Sequence, residues 1–308
     1  MKTLIISHRD ADGITSAIGF AWNLLEKNNL PKEFYEISKV CDILDINYED
    51  DFYNHLKNNN ISLDNYNQIV LLDFNLPIEI MKDLFNKFKD NFIWIDHHKR
   101  PDEDIEKEVK GIKGIRDSNH AACVLVWKYF NKGAPEFASY VEDMDIWKWE
   151  LPNSEELISG LINLKSKYTT ETLKYIFNYI DFKNFEEKKQ KLIERGKIII
   201  EHERNYVQSM TEQAQIVNFH GFKTCMINTP FTPSLIEKYF SELNEFKDIS
   251  IFMVWYRLPN NKYKFSLRSN KSNADVSLIA KEYGGGGHKA AAGFIIDDIN
   301  ELKTIEWK

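Results

Sequence analysis

Asn91-Phe92-Ile93-Trp94-Ile95-Asp96-His97-His98 sets a carboxylate and two imidazoles directly after four consecutive apolar residues. A short apolar run bounded by polar residues reads as a buried strand. In an open α/β sheet the carboxyl ends of the strands are where ligands bind. Two other stretches end the same way: Thr3-Leu4-Ile5-Ile6-Ser7 runs into His8-Arg9-Asp10-Ala11-Asp12-Gly13, and Ile69-Val70-Leu71-Leu72 runs into Asp73. Three apolar strands leaving into Asp and His predict a metal site along one sheet edge.

The segments between these strands predict the rest of the sheet. Ile14, Ala17, Ile18, Ala21, Leu24 and Leu25 recur at helical spacing over 13–26, and Ile80, Met81, Leu84, Phe85 and Phe88 do so in a helix opened by Pro77. Strands are expected at 34–37 and 40–43, a helix at 50–58, and an irregular charged stretch at 99–110. Ser118 is placed to cap a helix over 121–130, and another helix runs from Pro135 towards Asp145. Strand–helix alternation of this kind implies a parallel sheet covered by helices on both faces.

From 154 to about 215 the pattern is helical, with breaks near Thr169-Thr170 and Asp181. It ends in a long charged helix over 185–213 with Leu192, Ile193, Ile198, Ile199, Ile200, Val207 and Met210 on its apolar side, read as a connector between domains. Strands follow at 222–228, 249–256, 263–268 and 293–296, with helices at 234–243 and 275–283. The expected organisation is an α/β parallel-sheet domain over 1–165, a helical connector over 166–215 and a smaller α/β domain over 216–308.

The 308 residues suffice for two cored domains, and 43% hydrophobic with 28% charged residues is ordinary for a globular chain. A net charge of -7 disfavours stable binding of long duplex DNA, which calls for a basic surface. It does not exclude a small phosphorylated substrate, because bound cations dominate the local field. Cys41, Cys123 and Cys225 form no metal-ligand pattern and suggest a reducing, cytoplasmic setting. The apolar start is too brief for a signal peptide, and no stretch approaches the ~20 apolar residues of a membrane span.

In an extended segment residues two apart face the same way, so His8, Asp10 and Asp12 would present one imidazole and two carboxylates together. Like charges that close call for a cation, and Gly13 permits a sharp turn afterwards. Taken singly, Asp10 or Asp12 could merely cap the next helix. Asp73 is placed to bridge two ions, His97 to ligate the second, His98 to contact substrate and Asp96 to orient the imidazoles. Glu142, Asp143 and Asp145 are three acids among which the residues themselves do not choose, and Trp147 and Trp149 read as packing residues. Gly284-Gly285-Gly286-Gly287-His288-Lys289 would let backbone N–H groups approach a phosphate and open a helix whose N-terminus favours an anion. Arg268 at a strand end is a second phosphate clamp.

Taken in order, His8-Arg9-Asp10-Ala11-Asp12-Gly13, Asp73, Asp96-His97-His98, Asp145 and the run 284–288 resemble the DHH phosphoesterases that carry a DHHA1 domain. Asp145-Ile146-Trp147-Lys148-Trp149-Glu150 more narrowly resembles the NrnB-type oligoribonucleases, which favours Asp145 over Asp143. One departure is that His8 stands two residues before the first aspartate, where many relatives leave four. The resemblance implies that His8, Asp10 and Asp73 hold one Mn²⁺ and that Asp12, Asp73, His97 and Asp145 hold the other, with Mg²⁺ or Co²⁺ as alternatives. It implies that His98, Arg268 and His288 contact substrate phosphate, where the residues themselves also place the backbone of Gly285, Gly286 and Gly287.

The expected activity is two-metal hydrolysis of short oligonucleotides or small nucleotides, catalysed through Asp73, His98 and Asp96 in a cleft between the domains. Alternatives are a cyclic-dinucleotide phosphodiesterase, a RecJ-like single-strand exonuclease, and a nucleotide-binding regulator that does not hydrolyse. No membrane association is expected, and the resemblance leaves a homodimer open.

Overall fold

The computed structural model describes residues 2–48, 50–161, 169–180, 185–230, 232–269, 274–302 and 305–307. It divides into two compact units, Met1–Ile198 and Ile199–Lys308.

In the first unit β1 (Thr3–His8) leads into α1 (Ala11–Lys27), a short α2 (Ile37–Val40), β2 (Cys41–Ile46) and α3 (Phe52–Asn58). β3 (Gln68–Leu72), α4 (Ile78–Phe88) and β4 (Phe92–Ile95) complete a four-stranded sheet in the order β2-β1-β3-β4. All its pairings are parallel. Alternation along β1 feeds two cores: Ile5 joins Val70, Ile93 and the α1 side chains, while Leu4 and Ile6 join Leu71, Trp94, Met81 and Leu84. The sheet is therefore covered on both faces, and every strand exits at the same edge.

α5 (Lys99–Glu108) follows the last strand, then α6 (Ala122–Tyr129), α7 (Glu136–Asp145), α8 (Ser154–Gly160) and α9 (Thr170–Ile180). Two expectations fail here. Residues 34–36 form a 3₁₀ turn running into α2 rather than a strand, because Ile37 and Val40 bury at helical spacing. The charged stretch 99–110 is helical as far as Glu108, since Ile105 and Val109, one turn apart, both bury in the second core. The break expected at Asp181 lies outside the described residues.

α10 (Phe185–Gln208) is the long charged helix. Phe185, Leu192 and Ile193 bury in the first unit's core and Val207 in that of the second, so the division falls inside this helix rather than at 166 and 216. Ile198, expected on its apolar side, is 70% exposed.

The second unit contains β5 (Gln215–Phe219), β6 (Phe222–Asn228), α11 (Pro233–Ser241), β7 (Ile251–Arg257), β8 (Tyr263–Ser269), α12 (Val276–Glu282), β9 (Gly286–His288), β10 (Ala291–Ile296) and β11 (Ile305–Trp307). They form a mixed sheet, β11-β5-β6-β7-β8-β10-β9, in which only β6 and β7 pair in parallel among the described strands. β5, unexpected from the sequence, is joined to β6 by His220 (φ 50°) and Gly221 (φ 79°), the left-handed pair of a tight hairpin.

Candidate metal centre

β1 delivers His8, and α1 begins three residues later with Asp10 as its N-cap, accepting from the Gly13 N–H at 2.9 Å. Asp12 is thus in the first turn of a helix and not in an extended segment. It is fully buried, and its oxygens accept the Ala122 and Cys123 backbone N–H groups, each at 2.7 Å. Those N–H groups belong to the start of α6, whose cap residue Ala121 offers no side-chain bond. The cap expected from Ser118 is therefore supplied by Asp12, from 110 residues away in sequence. Gly13 is needed for closeness rather than for a left-handed turn, because a Cβ there would lie 2.1 Å from the His8 carbonyl oxygen.

Asp73 leaves β3 with its N–H still bonded to the Ile95 carbonyl at 2.9 Å and its own backbone at φ 54°. That left-handed conformation turns the carboxylate into the site, and Asp is one of the few side chains that tolerate it. His97 Nε2 then lies 3.2 Å from Asp73 Oδ1, 3.3 Å from Asp145 Oδ2 and 3.7 Å from Asp12 Oδ2. On the other side His8 Nδ1 lies 2.7 Å from Asp10 Oδ2 and 3.8 Å from Asp73 Oδ2. Donor atoms of His8, Asp10 and Asp73 fall within 4.8 Å of one another, as do those of Asp12, His97 and Asp145. Asp73 contacts the imidazoles of both groups.

Asp96 is fully buried; its Oδ1 accepts the His97 backbone N–H and the His98 ring, both at 2.7 Å. Because a carboxylate can only accept, Nδ1 of His98 carries the proton, and Nε2 is the nitrogen left for other contacts. Asp96 therefore orients the ring of His98 and the backbone, but not the ring, of His97. The three acids near 145 also separate. Glu142 takes His120 Nδ1 at 3.1 Å and the Ala121 N–H at 3.0 Å, and Asp143 accepts the Glu150 and Leu151 N–H groups at 2.8 and 3.3 Å. Asp145 alone of the three turns to His97.

These acids are uncomfortable without a cation. Oδ2 of Asp73, of Asp96 and of Asp145 is buried with no hydrogen-bond partner among the described residues. Burial, followed by the charges of Asp12, Asp10, Asp96 and Asp145, pushes the Asp73 carboxyl well above its usual range. Burial followed by Asp12 and Asp10 raises Asp145 to about 9, and burial raises Asp12. Asp10 goes the other way: burial opposes its charge, but the His8 hydrogen bond and charge hold it low. Burial likewise opposes protonation of His98, yet its Asp96 partner raises it. Orphaned buried oxygens among carboxylates and imidazoles fit the donor set of a divalent-cation site.

A pH dependence follows. Carboxyls raised in the folded chain keep protons that the unfolded chain loses near pH ~4. Their contribution is complete below that value and is lost as the pH rises towards the folded value of Asp145, about 9. Asp10 adds the opposite slope only in acid. The Tm of EDTA-treated protein is expected to fall between about pH 5 and about pH 8, and Mn²⁺ to raise it more at the upper value. A Tm insensitive to both would contradict a cation site here.

Tyr48, Phe74 and His8 form an aromatic group at the same edge, with ring centroids 4.4 Å apart for Tyr48–Phe74 and 5.7 Å for His8–Phe74. Tyr48 also lies 6.4 Å from His98. It was not singled out from the sequence, although an aromatic two residues past the end of β2 is a signal of the same kind as the strand-end acids.

In the second unit the glycine run is an edge hairpin and not a helix start: β9 and β10 pair antiparallel. Gly284 (φ 73°) ends α12, and a Cβ on Gly285 would sit 2.2 Å from the Gly293 oxygen. A Cβ on Gly287 (φ 141°) would lie 2.5 Å from the Ala291 oxygen. Three of the four glycines are thus explained by packing and backbone alone, whereas a Cβ on Gly286 meets nothing within 4 Å. Ala291 pairs with Arg268 on one side and His288 on the other, so the two basic side chains share a sheet face across a small residue. Their α-carbons are then about 10 Å apart, two strand spacings. Arg268 Nε is steadied by Ser234 Oγ at 3.2 Å, and burial lowers its pKa while Glu237 opposes the shift.

The model of the DHH family, N-terminal domain, matches residues 2–153, and that of the DHHA1 domain matches residues 223–306. An uncharacterized protein, R106, of Acanthamoeba polyphaga mimivirus is 26% identical over 267 residues, spanning 84% of this chain and 58% of the relative's length. Among solved structures, the pGpG-specific phosphodiesterase PggH of Vibrio cholerae superposes with a TM-score of 0.57 at 15% identity, covering 98% of this chain and 95% of that one. RecJ of Thermus thermophilus in complex with Mn²⁺ gives 0.53 at 13% identity, covering 98% and 51%. At such identities the two structures establish a common fold. No helix among the described residues is long and apolar enough to cross a membrane.

Proposed function

This chain belongs to the DHH family of metal-dependent phosphoesterases and carries the DHHA1 domain, and from that premise we propose that it hydrolyses phosphodiester bonds in short oligonucleotides or small nucleotides. The observation that carries the reading is Asp73, in contact with His8 on one side and His97 on the other. His8, Asp10 and Asp73 would hold one ion, and Asp12, Asp73, His97 and Asp145 the second, with Mn²⁺ suited to the mixture of imidazole and carboxylate. Bound there, the pair supplies Lewis acidity towards the phosphoryl group and lowers the pKa of an attacking water.

The chain's own groups do the rest. His98, its Nδ1–H fixed on Asp96, would turn Nε2 to the substrate, and its raised pKa favours the form that donates to a phosphate oxygen. Asp96 would act by orientation. Arg268 and His288, with the open backbone at Gly286, would hold a second phosphate in the DHHA1 domain, which favours substrates with an end to grip.

A net charge of -7 argues against long nucleic acid as the main substrate. The similarity to PggH, a pGpG-specific phosphodiesterase, supports a linear dinucleotide, and the manganese in RecJ supports that ion. The test is turnover with Mn²⁺ of 5′-phosphorylated diribonucleotides, longer oligoribonucleotides, cyclic dinucleotides and long single-stranded DNA. Fastest cleavage of the shortest linear members, abolished by EDTA, is expected. Preference for cyclic or long substrates would move the chain to another activity of the family, and tight binding without turnover would make it a regulator.

A further inference from the structure

Trp147 is 73% exposed, the most exposed of the large hydrophobic side chains described. Its sequence neighbourhood suggested packing, and the structure shows the reverse. Trp147 and Trp149 both have left-handed backbones, at φ 59° and 54°, a conformation that bulky L-residues seldom adopt because Cβ crowds the following carbonyl. The buried side chain of Asp143 accepts from Glu150 and Leu151, and its carbonyl accepts from Lys148 at 2.8 Å and Trp149 at 3.2 Å. The turn is thus tied at four points to one buried residue, and the result is an indole turned outward. Trp149 braces it edge-on, with ring centroids 5.3 Å apart and planes at 81°.

The position is informative. Trp147 is two residues beyond Asp145, whose carboxylate stands 3.3 Å from His97, so its α-carbon lies within about 7 Å of that of Asp145. That is about the spacing of one nucleotide unit. Backbone strain collects at ligand-contacting positions, and here a strained, four-point-tied turn holds an indole in solvent beside the candidate metal centre.

We propose that Trp147 is a stacking platform for a nucleobase next to the scissile phosphate, and so a specificity-determining residue that selects nucleotides over other phosphodiesters. This rests on the phosphodiesterase reading above. Base–aromatic stacking is tolerant of base identity, so the platform would contribute affinity for any short oligonucleotide.

The test compares wild type, Trp147→Ala and Trp147→Phe on the 5′-phosphorylated diadenylate pApA and on its counterpart lacking the bases, with Mn²⁺. Trp147→Ala is expected to lose roughly ten- to a hundredfold in kcat/KM on pApA, mainly through KM, to lose nothing on the abasic diester, and to be largely rescued by phenylalanine. In parallel, pApA binding to EDTA-treated protein is followed by tryptophan fluorescence, which should show quenching that disappears in Trp147→Ala. Equal losses on both diesters, or unchanged KM and quenching in Trp147→Ala, would overturn the proposal. If wild type binds pApA through Trp147 but cleaves nothing, the catalytic reading fails and the platform stands.

Discussion

Asp73→Asn is expected to reduce turnover of a short oligoribonucleotide on the order of 10³-fold, because the carboxylate that lies against both His8 and His97 then loses its charge. Several kcal/mol of transition-state stabilisation rest on a metal pair, and each 1.36 kcal/mol is a tenfold rate change. Asparagine suits this substitution because it keeps the shape and accepts the left-handed backbone at φ 54°. Its effect on stability should have the opposite sign. The Asp73 carboxyl is raised by burial and by the charges of Asp12, Asp10, Asp96 and Asp145, so neutralising it relieves repulsion in the metal-free chain. The variant should melt higher than wild type in EDTA and gain less from Mn²⁺. Metal analysis should find fewer ions than in wild type. Near-normal turnover with a full complement of ions would remove the shared-carboxylate mechanism.

Asp12→Ala should show the largest loss of stability among the site variants. Its two oxygens are the acceptors for the Ala122 and Cys123 N–H groups at the start of α6, and the cap residue Ala121 makes no side-chain hydrogen bond of its own. Alanine would strand two buried donors, at about 3 kcal/mol in total, a large share of the ~5–15 kcal/mol that holds a typical domain. Urea unfolding should register that loss, and activity should disappear with it. Asp12→Asn retains an acceptor oxygen and separates the two roles: it should abolish activity while unfolding at an intermediate urea concentration. An Asp12→Ala protein as stable as wild type would show that the α6 terminus is satisfied in another way.

The dual duty of Asp12 marks where local reading stops. The strand containing Trp94 was legible to the residue because a short apolar run between polar neighbours has few other ways to bury itself. Parallel pairing then followed from the helices between strands, and parallel strands exit at one edge. For that reason His8, Asp10, Asp73, Asp96, His97 and His98 could be placed together from spacing alone. The same logic misjudged 34–36 and 99–108, where two or three apolar residues decide between a strand, a helix and a loop, and only the surface they pack on breaks the tie.

What the chain's order of residues determined by itself was the parallel sheet, the edge at which its acids and imidazoles gather, and the presence of a second α/β unit. Tertiary structure alone decided how Glu142 and Asp143 are occupied while Asp145, the residue the resemblance favours, turns to His97, that the cap of α6 comes from Asp12 rather than Ser118, that the glycine run ends α12 and forms an edge hairpin, and that Trp147 faces outward. The physical reason is range. Hydrophobic periodicity acts over a few residues and is written into any window of that length, whereas a carboxylate's partner is fixed by backbone N–H groups that reach it only after the chain has closed on itself.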